Sequence, residues 1–384
     1  MTLPDEAAGP AAFRVVATSG RARAGQLRFA TGSVDTPVFM PVGTQGTVKT
    51  VRWPDLLQMG YNLILANTYH LYLRPGVEVI EQAGGLRSFT GWPGAILTDS
   101  GGFQLFSLSG LRRSSPEGYQ FRSHIDGSLH TLTPEQVIEL QIRFGSDIMM
   151  VLDECLEQPS DRERTSRSVD LTLDWAQRSR DAYSAVGWNR GRLFGIVQGG
   201  TFPDMREASA RELVRMGFDG YAIGGVSVGE ERRETEIAVE SCVDILPAGS
   251  PRYLMGVGKP EDLVDFVGRG IDMFDCVVPT RNARGAAFFV PGGVLNMRNA
   301  RFRNDHRPVQ ESCSCFACRN HTRAYLRHLF LAREWLAPIL ATLHNLQYFS
   351  DLMTRIREAI VAGSYDSWRE QWHDARRDFD ASAH

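Results

Sequence analysis

Asp147-Ile148-Met149-Met150-Val151-Leu152-Asp153 is an apolar run closed by a carboxylate. Behind it, from Asp161 to Val186, apolar residues recur at helical spacing, and Arg192-Leu193-Phe194-Gly195-Ile196-Val197-Gln198 then repeats the first pattern. An apolar run, an amphipathic stretch and a second apolar run with no hairpin turn between them predict strand, helix and parallel strand. The rhythm continues outward from this unit. Pro37 to Gly43, Asn62 to Asn67 and Ala95 to Asp99 lie upstream, and Gly220 to Gly225, Arg252 to Gly256 and Asp272 to Asp275 lie downstream. Pro203 to Met216 and Arg232 to Leu246 are further amphipathic stretches between them. Eight such runs predict an α/β chain folded as a (β/α)8 TIM-type barrel, whose active site gathers at the carboxyl ends of the strands. Asn67, Asp99, Asp153, Gln198 and Asp275 are the polar residues expected there. A doubly wound open sheet is the alternative, but no Gly-x-Gly-x-x-Gly turn opens a helix after the first strand.

At 384 residues and 43% hydrophobic content, the chain can bury one barrel-sized core as readily as two smaller ones. No apolar run approaches the roughly 20 residues that span a bilayer. Met1 to Ala12 is polar and small rather than signal-like, so a cytoplasmic protein with no membrane partner is expected, with residues 1–12 disordered and 13–384 forming a single catalytic domain. Val290 to Tyr348 breaks the rhythm with paired glycines, a cysteine cluster and a strongly helical end. It reads as a zinc-binding insertion at about residues 290–348, ahead of the last barrel helix, and Tyr365 to Phe379 reads as a surface helix.

The net charge is −3, yet Arg281 to Arg333 holds ten arginines, no lysine and two acids, so this stretch is +8 and the remainder −11. A basic face on an acidic body favours a nucleic-acid partner. The preference for arginine over lysine runs through the whole chain, where only Lys49 and Lys259 are lysine. It is open to either base composition or phosphate recognition as its cause, whereas the clustering favours the second.

Six cysteines in apolar or metal-like contexts argue against a disulfide framework. Cys313-x-Cys315-x-x-Cys318 gathers three thiolates, and with one imidazole they make a closed tetrahedral set suited to a structural zinc ion. His321, His328 and His344 are the candidates for the fourth ligand, and spacing alone leaves them open.

Thr98-Asp99-Ser100-Gly101-Gly102-Phe103-Gln104 follows a predicted strand, and its paired glycines allow backbone to approach a flat ligand. Asp153-Glu154-Cys155, Gln198-Gly199-Gly200, Gly224-Gly225 and Phe274-Asp275-Cys276-Val277-Val278-Pro279-Thr280-Arg281-Asn282-Ala283-Arg284 come after it. In this order, with Asn67-Thr68-Tyr69-His70-Leu71, Ser123-His124-Ile125-Asp126-Gly127 and the cysteine cluster, they resemble the bacterial-type tRNA-guanine transglycosylases, or queuine tRNA-ribosyltransferases. The resemblance runs from about Phe13 to near the C-terminus.

That resemblance implies a double displacement at the anomeric carbon of a ribose, retaining configuration. Asp275 stands at the nucleophile position and Asp99 at the proton acceptor and donor position. Asp153, Gln198 and the Gly225 amide match groups on the guanine edge, with Ser100, Gly101, Gly102 and Val226 lining the same site, and Phe103 and Met255 match a sandwich around the base. Gly256, Gly258, Lys259, Thr280, Arg281, Asn282 and Arg284 match the segments that touch the RNA, and the resemblance selects His344 as the fourth zinc ligand. Cys155 and Val228 are bacterial rather than eukaryotic in type, implying 7-aminomethyl-7-deazaguanine as the incoming base, although Val226 stands where many bacterial members carry leucine. The implied partners are transfer RNAs with a GUN anticodon (Asp, Asn, His and Tyr) and a second copy of the chain.

Two rivals are weighed. A metal-dependent barrel hydrolase needs histidines at strand ends, commonly at the first, which here ends in Val42-Gly43. A non-catalytic RNA-binding subunit of the same fold has no need of both Asp99 and Asp275.

Overall fold

The computed structural model describes residues 13–107, 112–188 and 190–382; the expected disorder of residues 1–12 lies outside them. Eight parallel strands form the centre: β1 (Val38–Pro41), β2 (Leu63–Ala66), β3 (Ala95–Thr98), β4 (Ile148–Met150), β5 (Arg192–Val197), β6 (Gly220–Ile223), β7 (Arg252–Leu254) and β8 (Met273–Cys276). Their hydrogen-bonded order runs β1-β8-β7-β6-β5-β4-β3-β2. A parallel bridge between Val42 and Leu65, with Gly43 N–H donating to Leu65 O at 2.6 Å, brings the two end strands together. The expected (β/α)8 barrel is therefore the fold, and each expected apolar run coincides with one of its strands, the last strand, Met273–Cys276, passing the expected end at Asp275 by one residue.

All the strands but β8 are shorter than their apolar runs, and β4 gives the physical reason. Its ladder stops at Met150, where the Gln141 side chain takes over both backbone groups, accepting from Met150 N–H and donating to Met150 O, each at 2.9 Å. Val151 to Asp153 then continues as irregular but buried chain, which carries Asp153 past the strand end. The next helix, Arg162–Val186, begins where Asp161 caps Arg164 N–H at 2.7 Å and ends at Gly187 in the left-handed region.

Elements that the strand rhythm did not reveal cover both ends of the barrel. Phe13–Ser19, Ala22–Phe29 and Gly32–Thr36 form an antiparallel sheet. Its Arg23 is nearly buried, pairs with buried Asp272 and donates to Ala248 O and Ser250 O at 2.9 Å. These residues precede β7 and β8, so the sheet closes the amino end. A second antiparallel sheet, Arg112–Ser115, Gly118–Arg122 and Leu129–Leu132, is inserted between β3 and β4 and meets the carboxyl end, where Tyr119 Oη donates to Asp153 O at 3.2 Å.

Buried apolar residues form two clusters. The larger fills the barrel and its helices. The smaller runs from Ala283 to Ala341 and includes Phe288, Leu295, Leu326 and the three clustered cysteines. Helix Leu336–Val361 belongs to both: Ala337, Leu340 and Ala341 enter the small core, while Phe349, Leu352 and Ile356 enter the large one. The expected C-terminal surface helix is present as Tyr365–Ser382. Among the described residues no helix is long and apolar enough to cross a membrane.

Candidate active site and metal centre

All five strand-end polar residues lie at one end of the barrel: Asn67, Asp99 and Gln198 directly after β2, β3 and β5, Asp153 three residues beyond β4, and Asp275 within β8. Asp99 is buried and held on both oxygens. Asn67 Nδ2 donates to Oδ2, and Thr68 N–H donates to Oδ1 at 2.9 Å. Burial pushes its pKa up to about 6 against these bonds, and the charge of Asp275 adds to the rise.

Asp275 is held differently. Tyr253 Oη at 2.5 Å and Gly256 N–H at 2.8 Å both donate to Oδ1. Among the described residues no hydrogen bond falls on Oδ2, which leaves one carboxylate oxygen oriented and unengaged. Burial raises the Asp275 pKa, while the Gly256 amide and the Tyr253 hydroxyl pull it down. The two carboxylates thus sit in one mouth with unlike surroundings, an arrangement that separates proton transfer from nucleophilic attack.

Between them is a polar floor with apolar walls. Gln198 Nε2 donates to Asp153 Oδ2 at 2.7 Å, and Ser100 Oγ lies 3.3 Å from Asp153 Oδ1. Burial raises Asp153 to about 6, with the Gln198 and Ser100 bonds opposing. Gly102 is required here, because a Cβ would come within 2.9 Å of Asp153 Oδ1. Gly101 (φ +85°) turns the chain against Tyr69. Phe103, 50% exposed, begins the short helix Gly102–Ser107, and half-buried Met255 has its sulfur beside Gly224. Gly225 (φ +61°) abuts the Gln198 carboxamide, and Val226 is buried next to it.

The residues expected to touch RNA ring this mouth. Gly256 and Lys259 are exposed, while Gly258 is buried against Cys276. Helix Val278–Arg284 follows β8 directly, with Thr280 buried, Asn282 half-buried and Arg281 and Arg284 exposed. Of the ten arginines from 281 to 333, only Arg307 and Arg323 pair with a carboxylate among the described residues, both with Asp305.

The metal centre joins this region from behind. Donor atoms of Cys313, Cys315, Cys318 and His344 lie within 4.8 Å of one another, and all four residues are buried. His344 Nδ1 is 3.7, 3.7 and 3.3 Å from the three sulfurs. A tetrahedral zinc with bonds of ~2.3 Å to sulfur and ~2.0 Å to nitrogen needs such edges to be about 3.5 Å, so the donor set fits. His344 Nε2 lies 2.7 Å from Phe289 O, a bond in which the ring N–H donates and Nδ1 is left as the ligand atom. His321 and His328 lie outside the group: His321 packs instead between the Phe316 and Tyr325 rings.

Residues 18–378 match the family model described as Queuine tRNA-ribosyltransferase. The chain belongs to that family. Proteins bearing the same name are 53% identical in Solidesulfovibrio magneticus (94% of this chain and 97% of the relative) and 54% identical in Caldanaerobacter subterraneus (92% and 93%). A third, from a Ruegeria species, is 49% identical over 95% of this chain and 96% of the relative.

Several side chains that shape this family member's site carried no role in the sequence reading. Tyr253 looked like any aromatic in an apolar strand, and its contact with Asp275 crosses from β7 to β8. Asn345 lies beside the candidate ligand His344; it accepts from Phe289 N–H at 3.0 Å and donates to Pro279 O at 3.0 Å and Ala287 O at 2.9 Å. The metal-bearing segment is thereby tied to the helix that follows Asp275. Arg206, in helix Pro203–Met216, is fully buried beneath the glycine loops. An amphipathic pattern with an arginine on it gives no sign of that placement.

Proposed function

We propose that the chain is a tRNA-guanine transglycosylase acting in queuosine biosynthesis, exchanging guanine at the anticodon wobble position for 7-aminomethyl-7-deazaguanine. Family membership supports the reaction class. The single observation that carries the mechanism is the pair of carboxylates held in unlike ways, half-buried Asp275 with both donors on one oxygen and buried Asp99 raised to about 6.

In the first displacement Asp275 Oδ2 attacks the ribose C1′ and forms a C1′–O ester. The C1′–N9 bond breaks, its electron pair leaves on guanine, and protonated Asp99 neutralises the departing base. The incoming base then gives its N9 proton to the Asp99 carboxylate and attacks C1′ from the vacated face, releasing Asp275 as carboxylate. Ionised Asp153 and Gln198 hold the amino and ring-nitrogen edge of either purine, and Gly225 N–H takes its carbonyl. Ser100, Gly101, Gly102 and Val226 line this site, while Phe103 and Met255 hold the base plane.

Transfer RNAs with a GUN anticodon are the proposed partners, with Gly256, Lys259, Arg281, Asn282 and Arg284 against the anticodon loop and buried Gly258 and Thr280 shaping the backbone beneath them. The surplus of unpaired arginines beyond residue 281 supports this. Zinc is the proposed ion at Cys313, Cys315, Cys318 and His344; it cross-links the chain and takes no part in the exchange. Residues 13–384 are read as one catalytic domain with the zinc-binding insertion at about 290–348, supported by the helix the two cores share. A homodimer is supported by exposed Phe316, Leu336 and Ile339, which line a cavity of about 760 Å³ beside the cysteines, and by exposed Tyr325 and Trp335 on the same segment. The proposed location is the cytoplasm, where the RNA is. A non-catalytic subunit is disfavoured, because both carboxylates are retained.

The test is exchange of radiolabelled guanine into unmodified transfer RNAs by the purified full chain. Incorporation confined to GUN anticodons is expected. No incorporation by metal-loaded protein with intact RNA would refute the enzymatic reading.

A further inference from the structure

Arg206 is 0% exposed, and among the described residues no carboxylate pairs with it. A buried guanidinium without a counter-ion is costly unless its donors are matched. Here three of the five N–H groups go to backbone carbonyls, with the Cys242 thiol as a further partner: Nε donates to Gly200 O at 2.7 Å, Nη1 to Gly224 O at 3.0 Å and Nη2 to Gly225 O at 3.1 Å. Gly199 makes the approach possible, since a Cβ there would come within 2.6 Å of Arg206 Cγ. One side chain therefore clamps the loop that carries Gln198 to the loop that carries Gly225.

The clamp fixes more than distance. In a trans peptide the C=O and N–H point in opposite directions. With Gly224 O and Gly225 O drawn to the guanidinium, the N–H groups of Gly225 and Val226 must both point away from it. Among the described residues neither N–H meets an acceptor, whereas the next two, Ser227 N–H and Val228 N–H, are both taken by Glu230. Two adjacent N–H groups left unmatched beside Gln198 and Met255 form a small concavity for an acceptor oxygen. A cation bound to the carbonyls of the same peptides polarises them and strengthens those donors.

We propose that Arg206 is a positioning residue for base recognition: it aims and polarises the Gly225 and Val226 N–H groups that take the 6-carbonyl oxygen of the purine. This rests on the base site proposed above. It makes selection for a 6-oxopurine depend on a side chain that never touches the base.

The test compares guanine with 2-aminopurine, which keeps the 2-amino group and lacks the 6-carbonyl and the N1 proton, as inhibitors of exchange by the full chain. Wild-type protein is expected to bind guanine at least tenfold more tightly. In Arg206→Lys and Arg206→Gln, the guanine inhibition constant is expected to rise roughly tenfold, the upper end of what one neutral N–H to carbonyl hydrogen bond contributes. That of 2-aminopurine should move less than about threefold by the same reasoning, having no bond to lose. The ratio of the two constants is independent of how much of a variant is folded, so it reads out even where Arg206→Gln is destabilised. A ratio unchanged from wild type would assign Arg206 to fold stability alone and overturn the proposal. Equal binding of both bases by the wild-type protein would instead refute the base site, and the role of Arg206 with it.

Discussion

Tyr253→Phe isolates one of the two hydrogen bonds that orient Asp275, the proposed nucleophile, while keeping the ring that packs in the barrel. The phenol is fully buried, and burial, followed by the neighbouring Asp275 charge, raises its pKa well above 10, so it stays protonated and donates. Its bond to Asp275 Oδ1 measures 2.5 Å, and the Gly256 N–H bond at 2.8 Å survives its removal. A hydrogen bond to a charged group is worth about 1.5 to 3 kcal/mol, so the acid dissociation constant of Asp275 should fall roughly tenfold to a hundredfold. The sign follows from the form that reacts. Attack needs the carboxylate, whose pKa burial already raises, and loss of a donor raises it further. The variant should therefore lose most activity at acid pH and recover toward the wild-type rate as the pH rises. The assay is kcat/KM for guanine exchange between pH 5 and 9 for both proteins, with a melting curve for each. Superimposable profiles, or a uniform drop at every pH, would refute the assignment of Tyr253 to the charge state of Asp275.

Asp153 is raised to about 6 by burial, and its proposed role as acceptor requires the ionised form. The KM for guanine should accordingly climb as pH falls through about 6, and Asp153→Asn should raise KM while removing that dependence; a pH-independent wild-type KM would contradict it. Cys318→Ala removes one of the four proposed ligands from a closed set, so metal analysis should find one zinc per chain in the wild-type protein and none in the variant, whose melting temperature should be lowered; full metal retention would count against the ligand assignment. Arg281→Ala should reduce discrimination between GUN and other anticodons, since one base contact is worth about 1 to 3 kcal/mol. Equal weakening for all RNAs, with a shallower salt dependence, would make Arg281 a phosphate contact instead.

The barrel was legible because each strand is buried along its length and therefore shows as an apolar run, as in β2 and β3. The polar residue closing five of the eight runs then marks the functional end without any knowledge of pairing. The two antiparallel sheets were not legible: Arg112–Ser115 and Ala22–Phe29 mix polar, charged and small residues, and no continuous apolar run marks them. Site residues with a chemical signature, Asp99, Asp275 and the three clustered cysteines, could be singled out from type and spacing. His344 could not, because its distance along the chain is no better than that of His321 or His328; only its entry into the small core on helix Leu336–Val361 brings it to the sulfurs. Tyr253, Asn345 and Arg206 stayed hidden for a related reason. Their partners are backbone groups or carboxylates on other elements, and nothing in the local pattern encodes those contacts.

The most direct measurement is to quench turnover of the full chain with transfer RNA in denaturant and separate the products on a denaturing gel. A protein–RNA species held by an ester at Asp275 should appear, disappear on addition of excess guanine before the quench, and be absent from Asp275→Asn, which should also fail to exchange base. Undiminished exchange by Asp275→Asn, or exchange by the wild-type protein with no such species under any quench, would contradict a covalent route.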